Sequence, residues 1–104
     1  MINTSFHVAV DNCSDFDYIT FIGNIDAQSE DQFRELPAKV RSQVVKFDFS
    51  KAERINSMGI ALLLRCFKTI KEQKKAEVRL LALNQTNTML FRMTGVFLLA
   101  SLEK

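Results

Sequence analysis

Apolar and polar positions follow one another in rhythms that change along the chain. Residues 5–11 alternate Phe6, Val8 and Val10 with more polar neighbours, the period of a strand with one buried face. A polar turn cluster fills residues 12–17, and residues 18–23 form a second strand near enough in sequence to pair with the first as a hairpin. Gly23 ends that strand and Asp26 is placed to cap the next element. The pattern predicts a helix over 27–36, with Phe33 and Leu36 apolar and Pro37 as its limit. Residues 44–49 are apolar enough for a central strand, residues 51–56 read as a short loop, and residues 57–74 form the strongest helical pattern. In that helix Ile60, Leu63, Leu64, Phe67 and Ile70 recur at helical spacing. A fourth strand follows at 77–83. A third helix at 84–93 is capped by Asn84 or Thr86 and closed by Gly95, and residues 96–102 read as a last short strand.

The predicted order is therefore β-β-α-β-α-β-α-β, an α/β fold in a single domain over residues 1–104. From the third strand onward, strands alternate with helices, which implies parallel pairing through crossover helices. The hairpin makes the sheet mixed, with its first two strands antiparallel.

Composition narrows the function without naming it. A formal charge of +2 from 14 basic and 12 acidic residues supplies no basic stripe for nucleic acid. Lys68, Lys71, Lys74 and Lys75, with Glu72 among them, read as the solvated end of a helix. The longest apolar run, residues 60–64, is far too short to enter and cross a bilayer. Met1, Ile2, Asn3, Thr4 and Ser5 lack the basic start and apolar stretch of a signal peptide, and Cys13 and Cys66 stand apart. A cytoplasmic protein with two reduced thiols is expected.

Catalytic chemistry finds little material. His7 is the single histidine and sits within a strand, where a solvated or hydrogen-bonded side chain is the expected role. One histidine and two separated cysteines assemble no usual zinc set, and three glycines form no phosphate loop. No enzymatic activity, metal or cofactor is expected. The segment 44–64 is different: strand, loop, then a helix opening at Asn56, Ser57, Met58 and Gly59. Unpaired N–H groups and the positive end of the helix dipole would stabilise a phosphate on Ser57. Asn56 or Ser57 also serves as an ordinary N-cap. Gly59 costs a first turn about 1 kcal/mol relative to alanine, which points to something approaching the backbone closely.

This segment resembles the signature of the STAS family, an apolar strand ending Asp-x-Ser followed by Asp-Ser-Ser/Thr-Gly and a leucine-rich helix. Here the matching residues are Asp48, Phe49 and Ser50, then Asn56, Ser57, Met58 and Gly59. Gly23, Asn24, Ile25 and Asp26 are similar to the family's Gly-x-Leu-Asp after the second strand. Thr94, Gly95 and Val96 are similar to its Ser/Thr-Gly-Leu near the end of the third helix. The resemblance is to the anti-sigma factor antagonist type, found in bacterial partner switching. It implies an unphosphorylated antagonist that binds an anti-sigma factor, usually a serine kinase of the GHKL type, and thereby frees a sigma factor. The kinase phosphorylates the serine two residues before the glycine, here Ser57, and a PP2C-type phosphatase reverses the step.

Asn56 stands where the family usually has Asp, and Met58 where it has a small hydroxyl residue. No room for the family's closing helix remains before Lys104, and the surface this leaves open is expected to allow a homodimer. Taken at 100° per residue, Met58 and Leu62 fall with Arg65 on the solvent side of the long helix. With Asp26, Asn56 and Gly59 they are the expected partner-binding residues. Two further functions fit the same sequence: a constitutive binding subunit of a larger assembly, as in lipid-transport ABC systems, and a sensor of a nucleotide or lipid.

Overall fold

The computed structural model describes residues 6–103; Ser5, the expected start of the first strand, and Lys104 lie outside them. Five strands form one mixed sheet in chain order, β1 (His7–Asn12), β2 (Asp17–Ile25), β3 (Val44–Ile55), β4 (Glu77–Leu81) and β5 (Ser101–Leu102). β1 runs antiparallel to β2, and the pairs β2–β3, β3–β4 and β4–β5 are parallel, as the element order predicts.

One face of the sheet carries the core. Ile19, Phe21 and Ile25 of β2, Val45, Phe47 and Phe49 of β3, and Val78 and Leu80 of β4 are buried there. The helices α1 (Glu30–Glu35), α2 (Ser57–Gln73) and α3 (Gln85–Thr94) cover that same face. Phe33 of α1 meets Phe21 at 5.2 Å between ring centroids, Phe67 of α2 meets Phe47 at 5.0 Å, and Phe91 of α3 meets Phe49 at 5.5 Å. Eight of the nine phenylalanines are thus one continuous aromatic spine: Phe21 meets Phe47 and Phe49, Phe6 stacks on Phe33 at 5.2 Å and Phe97 meets Phe91 at 6.4 Å. Tilted and edge-on pairs of this kind add to the burial each ring already contributes.

The other face is polar. Tyr18 donates to Asp48 Oδ2 at 2.5 Å, and Lys46, Arg79, Glu77 and Glu103 form a chain of ion pairs across β3, β4 and the end of β5. The Asp48 carboxylate, with burial reinforcing it, pushes the Tyr18 phenol up to about 12.

Four boundaries differ from the sequence reading. The loop expected over 51–56 is strand: β3 continues to Ile55, pairing Ile22 with Lys51, Gly23 with Ala52 and Ile25 with Ile55. One extra β3 residue enters between the pairs Thr20–Asp48 and Ile22–Lys51, and another between Gly23–Ala52 and Ile25–Ile55. Such bulges re-phase the side chains, so alternation is lost although pairing is not. The first helix is broken into a 3-10 turn (Ala27–Ser29), α1, and a second 3-10 turn (Leu36–Lys39) that begins beside Pro37. β4 stops at Leu81 because Ala82 turns to φ +61°. The last strand is two residues only. Val96 and Ala100 are both buried, a helical spacing: a 3-10 turn (Val96–Leu98) starts after Gly95 (φ +87°), and just past it Ala100 N–H donates to Val96 O at 3.1 Å.

Asp17, fully buried at the start of β2, ties the hairpin to the segment before β3. It accepts Asn12 Nδ2 at 2.6 Å, Arg41 N–H at 2.7 Å and Ser42 N–H at 2.8 Å. Burial alone would raise its carboxyl, but the Ser42, Asn12 and Arg41 donors outweigh it and hold the group below its ordinary value. A depressed folded value stabilises the fold above the unfolded carboxylate value of about 3.9, and that contribution is lost as pH falls through the folded value. We expect acid unfolding of the wild type to steepen below about pH 4. Asp17→Asn should be less stable at pH 7 and lose less on acidification, which denaturation at a series of pH values checks.

Candidate partner-binding site

The site is assembled around one carbonyl, that of Ile25 at the end of β2. Asn56 N–H donates to Ile25 O at 3.3 Å, which brings the end of β3 and the start of α2 against the end of β2. A Cβ on Gly59 would lie 2.2 Å from the same oxygen, so only glycine lets α2 seat there. The close approach that Gly59 signals in the sequence is therefore the protein's own backbone.

Asn56 is the N-cap: its Oδ1 accepts Gly59 N–H at 2.8 Å, and its carbonyl accepts Ile60 N–H at 3.0 Å. This resolves the choice between Asn56 and Ser57. Ser57 is the first residue of α2, exposed, and spared the capping duty. Its N–H and that of Met58 are the first donors of the helix, which an α-helix leaves outside its own ladder. Met58, half exposed at 49%, stands beside it.

Asp26 is brought close to Asn56. The two line one hollow with Asn24, Ile25 and Arg54. Asp26 is fixed by the turn it caps, accepting Gln28 N–H at 2.9 Å and giving its own N–H to Ser29 Oγ at 3.2 Å. Asn24 Oδ1 accepts Arg54 N–H at 3.1 Å, which pins the bulged end of β3 to β2.

On its other side Ser57 opens onto a groove that the sequence reading did not find, lined by Ile55, Asn56, Ile60, Leu90 and Thr94. The groove exists because β3 extends to Ile55 and α3 lies alongside it. Beside the groove, Met89 and Met93, one turn apart on α3, are 58% and 79% exposed.

Leu62 and Arg65 are not part of this cluster. Leu62, expected on the solvent side, is buried at 3% exposure. A single stripe was the wrong geometry for α2, because the helix packs on the sheet with one edge and against α1 with another. Its buried arc runs from Leu62 and Cys66 through Leu63 and Ile70 to Phe67 and Ile60. Leu62, Arg65 and Cys66 line a groove between the two helices together with Phe33 and Pro37. Arg65 is exposed as expected, and Leu64, expected in the core, is half-buried. Burial pushes the Cys66 thiol up to about 12, and both cysteines are free.

No described helix is long and apolar enough to cross a membrane, and the described residues contain no cluster of potential metal ligands.

The sequence matches the family model for the STAS domain over residues 11–103, and the chain belongs to that family. No curated protein matches it significantly. Among solved structures, an anti-sigma factor antagonist from Mycobacterium paratuberculosis shares 16% identity at a TM-score of 0.77, covering 97% of this chain and 87% of that one. The anti-sigma factor antagonist SpoIIAA in its unphosphorylated form shares 17% identity at a TM-score of 0.66, covering 96% and 89%. The phosphorylated form of the Bacillus cell fate determinant SpoIIAA shares 15% at 0.64, covering 96% and 92%. At these identities the likeness is one of fold.

Proposed function

We propose that this chain is an anti-sigma factor antagonist with Ser57 as its phosphoacceptor, acting by binding a protein and without catalysis of its own. The supporting observation is that Ser57 heads α2 exposed and uncommitted, between the Asp26–Asn56 hollow and the apolar groove of Ile55, Ile60 and Leu90. A partner seated on Met58 and this groove would cover the hydroxyl. The partner would be an anti-sigma factor with serine kinase activity of the GHKL type, and a PP2C-type phosphatase would restore the hydroxyl.

A phosphate at Ser57 would lie at the positive end of a helix of 17 residues, so the monomer tolerates it. The complex would not, because a dianion would be desolvated against an apolar groove. The kinase recovered with the chain from its own cells provides the test, by calorimetric titration of three forms. Ser57→Ala should bind like the wild type, and Ser57→Asp at least about tenfold more weakly, or 1.4 kcal/mol. Equal affinity of all three forms would instead favour a constitutive subunit of a larger assembly.

A further inference from the structure

We propose that β1 pairs with β1 of a second copy of this chain, antiparallel and centred on Ala9, so that two five-stranded sheets become one. The inference is independent of the switch at Ser57. It starts from the two edges of the sheet, β1 and β5. Proteins usually blunt an edge with a short strand, a bulge, a proline or a lysine. β5 is blunted by its length of two residues. β1 uses none of these devices: it runs six residues in unbroken register with β2, and contains neither proline nor lysine.

Hydrogen-bond parity fixes which groups face outward. Cys13 N–H donates to Phe16 O at 2.9 Å, so 13 and 16 are a hydrogen-bonded pair of the hairpin. Such pairs alternate along an antiparallel ladder, so His7–Ile22, Ala9–Thr20 and Asp11–Tyr18 are bonded across to β2. The backbone groups of Val8, Val10 and Asn12 therefore point to the open edge. Gln32 Nε2, which reaches round from α1, donates to Phe6 O at 3.2 Å, as the same parity requires of an even-numbered residue. That contact closes one end of the edge, and among the described residues nothing is hydrogen-bonded to the outward groups in the middle of β1.

A two-fold axis beside Ala9 satisfies this parity, matching Val8 with Val10 of the second copy and Val10 with its Val8, each pair exchanging both backbone bonds. The same register sets His7 opposite Asp11 at both ends, on the polar face where both side chains are exposed. On the other face the half-buried Val8 and Val10 meet each other's counterparts. A centre on Val10 would instead set Asp11 against Ala9 and Asn12 against Val8. Polar and apolar matching thus both select the centre at Ala9.

Sedimentation equilibrium of the full chain tests this. The wild type should show a reversible, concentration-dependent dimer. His7→Asp, which places like charges opposite each other twice, should raise Kd about tenfold or more. Adding Asp11→Lys to that variant sets opposite charges against each other in the same register and should return Kd to within about threefold of the wild type. Both side chains are exposed, so the denaturation midpoint of dilute protein should hold across the three forms. A wild type that stays monomeric at every concentration would overturn the proposal. So would a dimer whose Kd ignores both the single change and the charge swap.

Discussion

Replacing Gly59 with alanine should unfold or severely weaken the protein, although alanine is the better helix former. The gain in helix propensity is about 1 kcal/mol. Against it, the new Cβ would stand 2.2 Å from the Ile25 carbonyl oxygen and 2.9 Å from its carbon, with the Ile25 side chain at 3.1 Å. The obstacle is the backbone of a central strand, which cannot rotate aside as a flexible side chain would. Relief requires α2 to lift from β2, and that movement breaks the Asn56 N–H bond to the same carbonyl and loosens Leu63 and Phe67 in the core. Overpacking of a close contact costs about 1–3 kcal/mol and occasionally more; a backbone obstacle places this site at the upper end, about 3 kcal/mol net. Urea denaturation of the variant checks it. A loss below about 0.5 kcal/mol would mean that the helix can shift without disturbing the core.

The second large effect is expected at Leu62, where Leu62→Ala should destabilise the fold, as Leu63→Ala does, though by less. Both side chains are buried, at 3% and 0% exposure, one against α1 and one against the sheet. Truncation of a buried leucine costs about 2–5 kcal/mol, the spread reflecting how far the site collapses. Leu62 borders the groove with Phe33 and Pro37, so it should fall toward the lower end and Leu63 toward the upper. Met58→Ala serves as the contrast: half exposed beside Ser57, it should change stability by no more than about 0.5 kcal/mol. Thermal melts of the three variants separate these outcomes. A Leu62→Ala melt indistinguishable from the wild type would return Leu62 to the surface.

The sheet was legible in the sequence because its strands obey simple periods. The parallel order of β2, β3 and β4 follows from the alternation of strands with helices. Where the reading failed, a local pattern was overruled by something distant in sequence. Residues 51–55 look like a loop because two bulges destroy their alternation, yet pairing with Ile22, Gly23 and Ile25 holds them in the sheet. Leu62 looks exposed when α2 is given one buried stripe, and only the position of α1 gives it a wider buried arc. Residues 96–102 look like a strand by their apolar density, whereas Val96 and Ala100 are buried at a helical spacing.

The candidate site was legible in part. Asn56, Ser57 and Gly59 were marked by capping chemistry and by the cost of a glycine in a first turn. The partner of Gly59 was not, because the Ile25 carbonyl lies more than thirty residues away in the chain. The groove of Ile55, Ile60 and Leu90 needed the third dimension entirely, since it joins β3, α2 and α3.

The central claim, that Ser57 is the phosphoacceptor of a partner switch, is tested most directly by mass. The chain is purified by affinity from its own cells together with its kinase, incubated with ATP, weighed intact and mapped by peptide fragmentation. A single phosphate, located on Ser57 and absent from Ser57→Ala, is the predicted result. Phosphate on Ser42 or Ser50 with Ser57 unmodified, or no phosphate while the kinase labels another substrate, would contradict it.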